Sequence, residues 1–263
     1  MKNLNKTLLA VALLAAGTGA ANASIVQASG TVTSATAQAA EAFMQVYDST
    51  QGVTYNLDLG ITLAQLNAGL ANGTSFNLST DANWTAFHGA KFNAATTSYG
   101  VVDGYRTQDY FTSNLANPAI STANLTNVGS AIQTAAGRIN SGVALVAGSS
   151  LAVDGVNDGT GQWQVSAGSL HSMDDLFGAP GGTLSASANY GSAINFFFDT
   201  YNTVTKVNST TLIGSWTLAG NTLSFATPTI TPPAAVPLPA AVWMFGAGLM
   251  GVLRLNRRKS AAI

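Results

Sequence analysis

The stretch Ser215-Trp216-Thr217-Leu218-Ala219-Gly220-Asn221-Thr222-Leu223-Ser224-Phe225 decides the fold class. Large apolar residues alternate with Ser and Thr on both sides of Ala219-Gly220-Asn221. That is the period-two pattern of half-buried strands, joined here by a short hairpin turn. Working outward, strands are expected over 143–146, 162–167, 193–198, 204–207, 212–218 and 223–225, with Gly, Asn and Asp marking the turns between them. Phe196-Phe197-Phe198 must send at least one ring to each sheet face, because successive strand side chains point to opposite sides. Val53-Thr54-Tyr55-Asn56-Leu57-Asp58-Leu59 repeats the alternation, and Asp48-Ser49-Thr50-Gln51-Gly52 joins it as a turn to 43–47. The Ala-rich run 35–42 reads equally as a short helix entering that first strand.

Two segments carry helical spacing instead. Thr62-Leu63-Ala64-Gln65 has the form of a capping box, with Leu63, Leu66 and Leu70 on one face and Asn72-Gly73 as the expected stop. Over 125–139, Leu125, Val128, Ile132, Ala135 and Ile139 recur at the helical period, and Gly142 closes the run. Closely spaced short strands predict a mainly β chain: a single sandwich- or jelly-roll-like domain over 24–230 with one or two short inserted helices.

The chain has ten Lys plus Arg against eleven Asp plus Glu, but the basic residues sit mostly at its ends. Between Ser24 and Ala235 only Lys91, Arg106, Arg138 and Lys206 are basic, which leaves that region at −7. Such a region has no basic footprint for a nucleic-acid backbone, and nucleic acid is not an expected partner. There is no cysteine, which excludes cysteine nucleophiles and cysteine-ligated metals.

Motifs that carry chemistry are scarce. His171 precedes Asp174 and Asp175, but the chain has no Gly-x-Ser-x-Gly elbow, and the stretch reads as a polar loop. His88 reads as a partly buried loop residue beside Trp84 and Phe87. Two distant histidines without cysteine make a zinc site unexpected, and no metal or other cofactor is assigned. Asp154-Gly155-Val156-Asn157-Asp158-Gly159 fails the EF-hand register, which puts Val156 and Val165 where ligands belong. A looser calcium loop through Asp154, Asn157 and Asp158 stays open beside the reading of a hairpin turn. Scattered aspartates and one glutamate single out no pair for glycoside hydrolysis. Among the aromatics, Trp84 and Trp163 are the candidates for an exposed sugar-stacking surface, whereas Trp216 belongs to a core strand.

The two ends carry the remaining signals. Lys2 and Lys6, an apolar run over 8–16 and the small residues Ala21-Asn22-Ala23 form a secretory signal peptide over 1–23, with Ser24 as the new N-terminus. At the other end, a Pro-rich linker over 231–235 leads into Val236-Pro237-Leu238-Pro239-Ala240 and an uncharged run to Leu253. Arg254, Arg257, Arg258 and Lys259 follow as a stop-transfer cluster that stays cytoplasmic. A membrane helix is expected over 240–255. The uncharged part spans only about 21 Å of a core about 30 Å thick, which suits a segment held until a protease removes it.

This order of Pro-x-Pro motif, short apolar helix and arginine-rich end over 236–259 resembles the PEP-CTERM sorting signal in its VPLPA variant, with Leu238 where the family commonly has Glu. The resemblance implies recognition by an exosortase, a membrane-embedded transpeptidase-like enzyme, and transient residence in the inner membrane of a Gram-negative bacterium. It implies delivery of the cargo to the cell surface or the exopolysaccharide matrix. The expectation is a non-enzymatic surface or biofilm-matrix protein, with a carbohydrate- or calcium-binding lectin-like module as the alternative.

Overall fold

A computed structural model of the chain describes residues 24–89, 92–116, 118, 122–142, 148–153, 185–202, 204–228 and Met244. The strands are β1 (Glu41–Asp48), β2 (Val53–Thr62), β3 (Ser75–Asn77), β4 (Thr97–Tyr105), β5 (Gln108–Ser113), β6 (Ser149–Val153), β7 (Ala188–Asn189), β8 (Ala193–Asn202), β9 (Val207–Ala219) and β10 (Thr222–Ala226). The helices among them are α1 (Ala35–Gln38), α2 (Leu63–Ala68), α3 (Ala82–Phe87) and α4 (Thr122–Gly142). The fold is mainly β, as the alternation predicts.

All ten strands belong to one sheet in the order β3-β10-β9-β8-β5-β4-β1-β2-β6, with β7 against β4, and every pairing is antiparallel. The expected sandwich divides its strands between two facing sheets. Here a single sheet curls, and its two ends meet the same short helix. Asp81 caps α3 by accepting from the Trp84 N–H at 3.0 Å. The same carboxylate accepts from the Tyr55 hydroxyl of β2 at 2.9 Å and from Ser149 Oγ of β6 at 3.0 Å. Asn83 Nδ2 donates to the Ser149 carbonyl at 3.1 Å. On the opposite side Trp84 Nε1 donates to Asn221 Oδ1, in the β9–β10 turn, at 2.9 Å. The Leu78 N–H donates to the Asn221 carbonyl at 2.7 Å.

The curl encloses the larger core. Met44, Val46, Tyr55, Leu57, Tyr99, Val101, Tyr110, Phe196, Trp216, Leu218, Leu223 and Phe225 line its inner face, with Trp84 and Phe87 of α3 packed among them. Tyr55 meets Trp84 edge-on at 5.2 Å between centroids, and Trp84 stacks on Phe87 at 5.5 Å. The buried tyrosines spend their hydroxyls on tethers, as amphipathic rings in a core must. Tyr99 donates to the carbonyls of Ser192 and Trp216, and Tyr110 to Asn67 of α2.

The other face of the sheet is covered by α4. Val128, Ile132, Ala135, Ala136 and Ile139 meet Phe43, Val102, Phe111 and Phe197, so the helical spacing read from sequence is the buried stripe. The helix is 21 residues long rather than short. Two of its amides hold the start of the described chain. Asn140 accepts from the Ile25 N–H at 2.8 Å and donates to the Ile25 carbonyl at 2.7 Å. Gln133 accepts from the Ala28 N–H at 2.7 Å while donating to the Gly104 carbonyl at 2.6 Å.

Local expectations divide. The β1–β2 hairpin, the short helix within 35–42 and the capping box are present; the Gln65 N–H donates to Thr62 Oγ1 and the Thr62 N–H to Gln65 Oε1. Asn72-Gly73 is not the stop of α2, which ends at Ala68 with Gly69 as its cap at φ 93°. Of residues 204–207 only Val207 lies in a strand. Asn202 Oδ1 accepts from the N–H groups of Val204 and Thr205, an Asx turn that bends the chain so that β9 starts only at Val207. Strands expected over 143–146 and 162–167 lie outside the described residues.

Replacing Asp81 with Ala should destabilise the protein by about 2–4 kcal/mol, measured by denaturant unfolding. The change removes a helix cap worth about 1 kcal/mol and leaves the buried Tyr55 hydroxyl without its acceptor. A loss below about 1 kcal/mol, the cap alone, would show that the carboxylate does not hold the sheet ends.

Candidate functional site

Two side-chain groups stand out chemically, and neither is a set that the sequence singled out. The first is a band of carboxyl groups. Asp199 on β8, Asp109 on β5, Asp103 on β4, Glu41 on β1 and Asp58 on β2 lie one per strand across five adjacent strands, and all are buried. Asp109 and Asp199 are directly opposite each other in the β5–β8 ladder. Neither oxygen of Asp109 accepts a hydrogen bond. Glycines make room for it: a Cβ at Gly129 of α4 would stand 2.8 Å from Asp109 Oδ1, and one at Gly104 would stand 2.9 Å from Asp109 Cα. Thr210 Oγ1 donates to Asp199 Oδ1 at 2.5 Å. The Gly104 N–H donates to Asp103 Oδ1, and the Gly60 N–H to Asp58 Oδ1.

Burial is the main force on the four aspartates, since it penalises the charged form. It pushes Asp103 and Asp58 up to about 7, in each case with the Glu41 carboxylate adding to the rise and a backbone N–H opposing it. Burial raises Asp199 to about 6 against the Thr210 hydrogen bond. Asp109 is pushed well above the ordinary range, first by burial and then by Asp199 and Asp103. Of the described acidic residues, only Asp48 and Asp81 lie outside this buried band.

The Asp109–Asp199 pair has the residue types of a glycosidase dyad. Both side chains have 0% exposure, so a sugar ring has no access to them. Among the described residues no three His, Asp or Glu side chains converge on a metal position.

The second group is aromatic. His88, which ends α3, stacks on Phe92 at 4.0 Å, and Phe92 meets Tyr190 edge-on at 5.0 Å. The Tyr190 hydroxyl donates to the Gly220 carbonyl at 2.6 Å and lies 3.3 Å from His88 Nε2. All three rings are half-buried, and they form a patch next to the β9–β10 turn. Trp84, expected at the surface, is 1% exposed instead. Its indole N–H reaches Asn221 and its ring fills the curl, so a sugar cannot stack on it. His88 is half-buried, as expected. The patch is assembled from residues about a hundred positions apart, which local pattern does not reveal.

Asp154, Asn157, Asp158 and Trp163 lie outside the described residues, as do His171, Asp174 and Asp175. So do Ala21, Ala23, Val236, Pro237, Leu238, Pro239, Ala240, Arg254, Arg257, Arg258 and Lys259, and the helix expected over 240–255. Ser24 is described and exposed. Among the described residues no helix is long and apolar enough to cross a membrane.

The carboxyl band sets the pH response. A carboxyl that holds its proton more tightly when folded stabilises the fold below its unfolded pKa of about 4. That contribution is lost as pH rises through the folded values of about 6 to 7. Asp48 has the opposite sign. Burial opposes ionisation there, but hydrogen bonds from Gln51, Thr50, Thr96 and Asn93 outweigh it and hold the carboxyl below its ordinary value. Its contribution is present above that value and lost in stronger acid. The thermal midpoint should therefore be higher at pH 5 than at pH 8, and Asp103→Asn should narrow the difference. A wild-type midpoint that climbs from pH 5 to pH 8 would contradict the raised carboxyl pKa values.

No family model, no curated protein and no solved structure matches the chain.

Proposed function

We propose that the chain is an exported, non-enzymatic cell-surface or extracellular-matrix protein, sorted by processing of its tail at the membrane. The observation that carries this reading is the three-part C-terminal sequence. Val236-Pro237-Leu238-Pro239-Ala240 precedes a short uncharged run, and Arg254, Arg257, Arg258 and Lys259 close it. A short apolar segment ahead of a basic cluster stalls in the membrane with its N-terminal side outside, where an exosortase-type enzyme would cut near the Pro-x-Pro motif. Support also comes from the other end. Ile25, the second residue after the expected cleavage, is already clamped by Asn140, so the chain just after that point is part of the sheet–helix unit. On this reading the inner membrane and the processing enzyme are transient partners, and exopolysaccharide is the lasting one.

The test replaces Pro237 and Pro239 with Ala in the full-length protein. The variant should stay in the inner-membrane fraction with its C-terminus intact by mass spectrometry, while the wild type appears outside with a trimmed C-terminus. Identical location and identical C-termini would refute the sorting reading.

A second reading, a carbohydrate-binding module, is favoured by the half-buried patch of His88, Phe92 and Tyr190. Stacking on a sugar face needs an aromatic ring that solvent can reach, and these rings meet that need where Trp84 does not. On this reading, full-length protein retained on immobilised exopolysaccharide should lose at least tenfold in affinity on Tyr190→Ala. Unchanged retention would remove the patch from consideration.

A further inference from the structure

The Asp109–Asp199 pair lies where α4 comes closest to the sheet. Gly129, in the first half of α4, has no side chain to hold the two apart. A Cβ there would stand 2.6 Å from the Arg106 N and 2.8 Å from Asp109 Oδ1, so the helix backbone forms the roof over Asp109. Val128 and Ile132 of the same helix belong to the apolar seam with Val102, Phe111 and Phe197. Beneath that seam both carboxyls are fully buried.

Among the described residues no cation pairs with either carboxyl. β5 and β8 bring the two aspartates themselves, with Tyr201 two positions beyond Asp199 on the same face. β4 adds Asp103 and β1 adds Glu41, both acidic. β9 offers the Thr210 hydroxyl, which donates to Asp199. The Arg106 guanidinium lies over the Tyr105 ring, 5.1 Å from its centroid. α4 has one charged residue, Arg138, nine positions and about 13 Å along the axis from Gly129. The N-terminal strap over 25–28 has none. The charges that act on Asp109 are other carboxylates, Asp199 before Asp103.

Like charges directly opposite each other in a ladder repel, and a dry interior screens them far less than water does. That repulsion has two exits. Separating β5 from β8 breaks a ladder of six residue pairs in the middle of the sheet and opens both cores. Lifting α4 opens only one core, breaks the Gln133 bond to the Gly104 carbonyl, and lets water reach both carboxyls at once. We propose that Asp109 and Asp199 form a latch beneath α4: the helix stays seated while at least one of them is protonated, and it lifts from the sheet when both ionise. Burial raises both carboxyls, so the latch is closed in mild acid and opens on the alkaline side. The strap decides which end moves. Asn140 holds Ile25, and Val26 is bonded to Glu41 of β1 in both directions, at 2.9 and 3.0 Å. The C-terminal end of α4 is thereby moored to the sheet, and opening starts in the half that carries Gly129. This inference is independent of how the protein is sorted.

Hydrogen exchange on the full-length protein in mild detergent, corrected for the pH dependence of intrinsic exchange, reads the latch. Between pH 5 and pH 9 protection over 122–133 should fall at least tenfold, while 215–226 keeps its protection. Asp109→Asn should leave the helix as protected at pH 9 as at pH 5, because the remaining carboxylate has no like charge opposite it. Thr210→Val, at a partly exposed position, keeps both carboxyls and removes the hydrogen bond that favours ionised Asp199. It should move the opening upward by about one pH unit. Should Asp109→Asn not fold, the Thr210→Val shift decides alone, and an unmoved midpoint would overturn the proposal. So would wild-type protection over 122–133 that ignores pH or falls in step with 215–226, or an undiminished pH response in a folded Asp109→Asn.

Discussion

Closure of the sheet by α3 is the constraint on which the rest depends. A ten-stranded antiparallel sheet has two ends and an inner face that water would reach if it lay open. One six-residue helix resolves both problems. Asp81 and Asn83 hold the β6 side, and the Trp84 indole N–H holds the β9–β10 turn. The indole ring itself fills the space between them, so a single element supplies both tether and core. Aromatic pairs such as Tyr55–Trp84 add roughly 0.5–1.5 kcal/mol each beyond their burial. The aromatic patch of His88, Phe92 and Tyr190 follows from the same closure, because α3 ends at His88 and Tyr190 reaches back to the turn that Trp84 grips.

The opposite face follows a different logic. There α4 presses its apolar stripe onto the centre of the sheet, and two of the strands beneath it carry Asp109 and Asp199 face to face. Two ionised carboxylates cannot share a buried position cheaply, so the arrangement holds at least one proton through mildly acidic conditions. The glycines at 104 and 129 let helix and strands approach around that pair. Among the described residues, carboxylates that look like surface groups in the sequence lie inside the protein.

Strong local chemistry was legible in the sequence. The alternation of 53–59 and 215–225, the box formed by Thr62 and Gln65 and the stripe from Val128 to Ile139 all have their expected outcomes, because each depends on neighbours a few positions away. Trp84 was misjudged because its fate depends on Asn221, 137 residues distant, which gives the indole N–H a partner inside the curl. Of 204–207 only Val207 joins β9, because the Asn202 side chain captures the N–H groups of Val204 and Thr205 that a ladder needs, which the apolar pattern does not reveal. The carboxyl band escaped notice for a related reason. An aspartate in an alternating strand, as in Tyr55-Asn56-Leu57-Asp58-Leu59, resembles a solvent-facing position until a helix or a second end of the sheet covers it. The division between sandwich and curled sheet was likewise out of reach, since it rests on which distant strands become neighbours.

The central claim is that α3 couples the two ends of the sheet, and hydrogen exchange tests it most directly. Trp84→Phe keeps an aromatic ring but removes the bond to Asn221, which lies only at the β9–β10 end. If closure is cooperative, amides of β6 at 149–153 should lose protection together with those of β10, although no bond to β6 has been deleted, while β4 and β5 stay protected. Faster exchange confined to 215–226, with β6 unchanged, would contradict the account.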